Sequence, residues 1–356
     1  MRWNPILYGE NWILTDEIIM TKKETRIMKG VAILLMIFLH LFNQVQNVEL
    51  CESFVYIGNM PFVYWLSAAT NPVSFFLILS GYGMHFIHAQ WGGKDIHKWN
   101  RIVKLYLHWW VILILFTIPS FIYNGNYYTN CSSVINNYTA FNTSWYAEGW
   151  FLFPFVGLSL VSPLLFKLTD KFKVRWVLLV SFLVGICTSF VVSRYGSQYL
   201  YKNLWLYNPF LIVHLAPSFI FGAMLQRTEF IYKVQKKCNS RWLWLALVVT
   251  VIIICLTRTA AWGPLYATTF IVLFLSAPRW SWIDKVLAHL GDHSMNMWLI
   301  HAWFCYYIFH DLMYSLRYPL GIYMILVIVS LLCSYFVNAV CSFITIIYHR
   351  KCQNTK

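Results

Sequence analysis

A chain of 356 residues that is 59% hydrophobic and 11% charged is too apolar for a soluble globular protein, and its mean hydropathy of +0.57 agrees. The net charge of +14 could point to nucleic acid, but in a chain of recurring apolar runs Lys and Arg mark cytoplasmic loops, so no nucleic-acid partner is expected. Nine cysteines show neither CxxC nor zinc spacing, which gives no disulfide framework and no metal site. Cys51 and Cys131 fall in predicted outer loops, where they could pair.

The apolar runs predict an all-α polytopic membrane protein with about ten transmembrane helices. The spans are 27–46, 71–90, 104–123, 148–168, 176–194, 209–226, 241–257, 262–278, 294–312 and 320–348. Residues 1–25 read as an amphipathic cytoplasmic or interfacial segment, 26–348 as one membrane domain, and 349–356 as a basic cytoplasmic tail. With both termini inside, the outer loops hold only Arg194, Lys202, Arg258 and Arg317 of the 27 Lys and Arg. That asymmetry is what the positive-inside rule demands. Residues 51–70 are too short to span and read as an outer interfacial or re-entrant piece. Residues 124–147, rich in Asn, Tyr, Ser and Thr, read as an outer loop.

Ionisable residues inside a membrane are costly and therefore suggestive. The first span opens on Lys29 and carries His40 eleven residues later, about 16 Å along a helix. Lys29 can reach the inner headgroups, which leaves His40 beyond the bilayer centre toward the outer face. The stretch "SFFLILSGYGMHF" in the second span combines Ser80, Gly81, Tyr82 and Gly83. By itself it permits close helix packing. Lys94, Lys98, Arg101 and Lys104 crowd the inner start of the third span. Arg101 and Lys104, spaced i, i+3 at a helix N-terminus, suit phosphate.

At the mouth of the fourth span, "TSWYAEGWF" supplies Trp145 and Glu148. In the late stretch "GDHSMNMWLIHAWF", Gly291 is expected to break the chain and Ser294 to cap the helix that follows. Met297, Trp298 and His301 then line one stripe, while Asn296 faces elsewhere.

In this order the elements resemble the acyltransferase-3 family of integral membrane acyltransferases. Its basic residue, ten residues and a histidine are matched by Lys29 and His40, with Lys in place of the common Arg. "FFLILSGY" is similar to its FF-x-x-SGY region. "RIVKLY" is similar to its Arg-x-x-Arg entry, with Lys104 as the second cation. "WYAEGWF" and "LGDHSMNMWLIHAWF" resemble two further segments. The resemblance covers roughly residues 25–310.

It implies transfer of an acyl group, usually acetyl, from cytoplasmic acyl-CoA to a glycan or lipid-linked glycan. Acyl-CoA would be a donor substrate rather than a permanently bound cofactor. His40 and Glu148 would be catalytic. Lys29, Ser80, Tyr82, Arg101 and Lys104 would bind the donor. Trp145, Asn296, Trp298 and His301 would line the acceptor side. The expected location is a cell membrane crossed many times, with the lipid bilayer as a further partner. A polysaccharide-precursor transporter or flippase is the competing reading. A different acyltransferase fold built on an Asn/His pair is a third, which the motif order disfavours.

Overall fold

The computed structural model describes residues 20–92, 98–124, 130–238 and 240–354. The segment 1–19 and Lys94 lie outside them. The helices in chain order are α1 (Lys22–Phe42), α2 (Val45–Glu49), α3 (Phe62–Ser67), α4 (Pro72–Gln90), α5 (Lys98–Asn124), α6 (Cys131–Tyr138), α7 (Leu152–Thr169) and α8 (Val174–Tyr195). There follow α9 (Leu204–Thr228), α10 (Phe230–Lys237), α11 (Ser240–Thr257), α12 (Gly263–Ser276), α13 (Ser281–Ala302), α14 (His310–Tyr314) and α15 (Pro319–Asn354). Between α2 and α3 a two-residue hairpin pairs Tyr56 with Pro61 and Ile57 with Met60.

Among the described residues, seven helical segments are long and apolar enough to cross a membrane. Two shorter apolar helices, Trp242–Thr257 and Gly263–Ser276, join through a short turn into the antiparallel hairpin expected there. Helix α13 has the length of a span but carries Asp284, Lys285, His289, Asp292 and His293 before its last two turns. Large apolar side chains such as Leu164, Leu256 and Leu320 stand exposed along the bundle, as a lipid-facing surface requires.

Helix α1 begins at a capping box. Glu24 N–H donates to the Thr21 hydroxyl at 3.1 Å, and Thr21 N–H donates to the Glu24 carboxylate at 2.7 Å. Its closest neighbour is α13. Arg26 Nε donates to Asp292 Oδ1 at 2.6 Å at one end, and His40 meets His301 toward the other, so the two helices run in the same direction. Glycines let them touch: a Cβ on Gly30 would lie 2.0 Å from the Leu287 carbonyl oxygen, and one on Gly291 would lie 1.9 Å from that of Arg26. Gly291 therefore does not start a helix, as the sequence suggested. Helix α13 runs through it from Ser281, and Ser294 donates its hydroxyl to Gly291 O at 2.8 Å instead of capping.

Helices α4 and α9 form a second parallel pair. Ser218 donates to Ser74 at 3.1 Å near one end, and His85 meets Gln226 at 2.6 Å near the other. Gly81 and Gly222 make the same reciprocal backbone contacts, against Phe219 and Ile78. The second span is longer than 71–90, because α3 and α4 together form a broken helix over Phe62–Gln90. At the break Tyr266 donates to Ala69 O, and Thr70 to Ser67 O at 2.7 Å. These bonds satisfy backbone freed from the helix.

Residues 130–146 are not a free loop: they hold α6 and are tied to α5, although Cys131, Val134 and Ile135 stay exposed. Tyr106 OH donates to Thr139 O at 2.9 Å, Trp109 Nε1 to Asn137 O at 3.0 Å, and Trp110 Nε1 to Tyr138 O at 2.9 Å. All three donors sit in the middle of α5. Trp110 is about 21 Å short of Asn124 at 1.5 Å per residue. The segment dips back along α5 as a re-entrant hairpin. Asn137 pins it from within, donating to Ser133 O and Ser144 Oγ and accepting from Trp145 N–H. Cys51 and Cys131, which the sequence left free to pair, are both free thiols, the first buried and the second exposed.

Candidate active site

His40 ends the last turn of α1, and its ring centroid lies 4.9 Å from that of His301 on α13. The two are not equally open: His40 is half-buried, whereas His301 is wholly buried. The tautomer of His301 follows from its neighbours. Its Nδ1 faces two carbonyl oxygens, Trp298 O at 2.7 Å and Met297 O at 3.2 Å, which only accept, so Nδ1 carries a hydrogen. The remaining nitrogen, Nε2, has no hydrogen-bond partner among the described residues. An unpaired acceptor in a buried position is costly and marks a place where a substrate hydroxyl or a second imidazole can donate.

Beyond Ala302 the helix widens into a π-helical turn over Trp303–Tyr307. Such turns alter the direction of side chains and recur at functional sites. Here the turn sends Tyr306 to His40 and Tyr307 to Glu148. The Tyr306 hydroxyl donates to the His40 backbone oxygen, and its oxygen lies 3.4 Å from His40 Nδ1. With the Tyr306 proton already committed, Nδ1 of His40 is the natural donor to that oxygen. This leaves the lone pair on His40 Nε2. Tyr307 OH donates to Glu148 Oε2 at 2.9 Å and accepts from Ala147 N–H at 2.8 Å. Glu148 is thus a half-buried, hydrogen-bonded carboxylate rather than a free acid at a helix start.

The far end of the same seam is cationic. Lys29 lies one turn beyond Arg26, close enough to Asp292 and Lys104 for direct electrostatic influence. Arg101 and Lys104 open α5 at this end. The order of cation, histidine, small-residue helix, cationic entry, acidic mouth and late histidine is that of one family. The acyltransferase-3 family model, an acyltransferase domain, matches residues 24–339. The chain belongs to the acyltransferase-3 family. No curated protein and no solved structure matches it.

In this membrane acyltransferase the remaining sequence candidates scatter. Asn296 does not join His301. It accepts from His108 at 2.7 Å and donates to Asn338 Oδ1 at 3.0 Å and Ser334 O at 3.3 Å. This buried network lies between the cationic rim and the histidine pair, and His108 stands one turn after Lys104 on α5. Trp298 packs edge-on against Phe151, and its carbonyl also accepts from Tyr146 OH at 3.2 Å. Tyr82 lies near the cationic end, where its hydroxyl accepts from Met20 N–H at 2.9 Å. Ser80 is half-buried beside Gly81. Trp145 does not offer an open face for a sugar. It is 7% exposed and wedged edge-on against Phe121 and Tyr138.

Tyr306, Tyr307 and His108 were not singled out from the sequence. "WFCYYIFH" looks like ordinary interfacial aromatics, and only the widened turn gives its two tyrosines separate duties. His108 had a weak signal, an imidazole one turn from Lys104 inside an apolar span.

Proposed function

We propose that this acyltransferase moves an acyl group, most simply acetyl, from cytoplasmic acyl-CoA to a hydroxyl of a cell-surface or lipid-linked glycan. The observation that carries the reading is the half-open His40 backed by the wholly buried His301. The proposed topology has ten crossings with both termini in the cytoplasm. It takes the seven long apolar segments, the two shorter ones and α13 as spans, and it puts the cationic end inside. Lys29, Arg101 and Lys104 then meet the phosphates of the donor, a task suited to charge-assisted hydrogen bonds. The His108–Asn296–Asn338 network offers polar contacts along the route from this rim toward His301, and a pantetheine arm is long enough to follow it.

In the direct mechanism, His40 Nε2 takes the proton of the acceptor hydroxyl as its oxygen attacks the thioester carbonyl. The new C–O bond forms, the C–S bond breaks, and the proton passes to the departing thiolate. His301 Nε2 accepts a hydrogen bond from the imidazolium that His40 becomes, or from the incoming hydroxyl. Glu148, braced by Tyr307, orients acceptor hydroxyls. In the covalent variant His40 itself attacks the carbonyl, and the acceptor displaces the acyl-imidazole.

Purified protein incubated with acyl-labelled acyl-CoA and extracted envelope glycans tests the reading. Label is expected in a glycan or glycolipid fraction, and label that stays on CoA throughout would refute it. Acid quenching without acceptor separates the two mechanisms, since only the covalent route leaves label on His40. The flippase alternative loses its ground, because the family is one of acyltransferases.

A further inference from the structure

Between α5 and the re-entrant α6 lies a cavity of about 260 Å³. Ile114, Thr117 and Ile118 form one wall, and Val134, Tyr138 and Trp145 the other. Its rim is apolar and open, with Ile114, Ile118 and Val134 exposed. Its depth is set by α5. Ile114 to Ile118 lie about 9 to 15 Å short of Asn124 along the helix axis. With α5 crossing the bilayer in the proposed topology, a groove there opens sideways into hydrocarbon.

One side chain says that its occupant is not hydrocarbon alone. Helical threonines elsewhere return their hydroxyl to the carbonyl four residues back: Thr188 to Val184, Thr250 to Ala246, Thr268 to Pro264 and Thr345 to Cys341, at 2.7–2.8 Å. Thr117 does not. It is 5% exposed, and its hydroxyl has no partner among the described residues. A buried unsatisfied hydroxyl persists at a cost, which a bound acceptor atom removes. The groove adjoins the site along the chain. Trp145 closes it, and three residues on, Glu148 accepts from Tyr307.

We propose that this groove holds the tail of a lipid-anchored acceptor, with Thr117 bonding an oxygen at the junction of tail and headgroup. The proposal rests on the acyl-transfer reading and narrows its acceptor to the lipid-linked kind. The tail lies along Ile114 and Ile118. The sugar emerges past Trp145 beside Glu148, and its hydroxyl reaches His40 from within the bundle. Acceptor capture then occurs by lateral diffusion in the membrane, and a glycan free in solution is a poor substrate.

The test uses full-length protein in nanodiscs, labelled acetyl-CoA and one sugar presented two ways, on a polyprenyl phosphate carrier and as free oligosaccharide. Ile114→Trp fills the groove from an exposed position and keeps the fold. It is expected to raise the KM for the carrier-linked acceptor about tenfold, the loss of roughly two buried methylenes, and to leave the free sugar within about twofold. Thr117→Val, nearly isosteric, should shift the same KM in the same direction by a smaller factor. A diazirine in the carrier tail is expected to crosslink within residues 113–121 of the unaltered protein and not of Ile114→Trp. Equal effects on both acceptors, or crosslinks that map elsewhere because the groove holds only bulk lipid, would overturn the proposal. Crosslinking at 113–121 without transfer to either acceptor would instead sink the acyl-transfer reading and leave the groove standing.

Discussion

Replacing Gly291 with alanine tests whether the α1–α13 contact sets the catalytic geometry. The added Cβ would lie 1.9 Å from the Arg26 carbonyl oxygen, against about 3.4 Å for ordinary contact. The obstacle is helix backbone, which cannot rotate away, so the helices must part by about 1.5 Å locally. Overpacking of this kind costs about 1–3 kcal/mol of stability. Ten residues further along the same helix is His301, whose ring must stay beside that of His40. Misplacement of reacting groups by about 1 Å can cost about a hundredfold in rate. Gly291→Ala is therefore expected to lower kcat about 10- to 100-fold and to lower the midpoint of thermal unfolding in detergent. Gly83→Ala, with nothing within 4 Å of its Cβ, is the control and should be neutral. The assay is acyl transfer from labelled acyl-CoA at matched membrane abundance. Full activity with an unchanged midpoint would refute the argument that the glycine seam positions the histidines.

Other outcomes follow from the same geometry. His40→Ala should cut acyl transfer by about 10²–10⁴, the usual contribution of general acid–base catalysis, while insertion is unaffected by immunoblot of membranes. Tyr306→Phe removes one hydrogen bond from the His40 backbone and should lower kcat about fivefold, the equivalent of about 1 kcal/mol, with KM for both substrates nearly unchanged. Arg101→Ala with Lys104→Ala should raise KM for acyl-CoA more than for acceptor, each lost charge-assisted bond costing about 1.5–3 kcal/mol; an unchanged donor KM would place the phosphates elsewhere. Burial pushes the Cys51 thiol up to about 11. Its reactive thiolate is thus scarce at neutral pH and gained only as pH rises toward that value. An impermeant maleimide should spare Cys51 in intact cells and label the exposed Cys131. Labelling of Cys131 only after the membrane is opened would invert the proposed topology.

The helical membrane architecture was legible because long apolar runs have few other folds available. The spacing of Lys29 and His40 put both on the first helix, and α1 carries them, with His40 in its last turn. The meeting of His40 with His301 depends on a parallel contact between helices far apart in sequence, which no local pattern announces. Gly291 misled because a glycine reads locally as a helix breaker, while its real work is steric and belongs to Arg26 on another helix. Residues 130–146 misled in the same way. Asn, Ser, Thr and Tyr look like a solvated loop until their donors and acceptors are traced to one another and to α5. The π-helical turn left no recognisable mark at all. "WFCYY" has no proline, glycine or spacing that announces a widened turn.

The re-entrant hairpin has a consequence for how the chain is assembled. Its backbone carbonyls at 137–139 are bonded by donors on α5, which is synthesised before it. Other partners do not yet exist when it emerges: Asn208, which donates to Phe141 O at 2.8 Å, the Trp298 carbonyl that receives Tyr146, and Tyr307. A polar segment with half of its bonds to other helices unavailable cannot remain in hydrocarbon. Residues 130–148 therefore wait in water while more than a hundred further residues are made. They dock only when α9 and α13 stand in place. The carboxylate of Glu148 reaches its position at that last step, so the candidate site is complete only after the late helices have been correctly inserted.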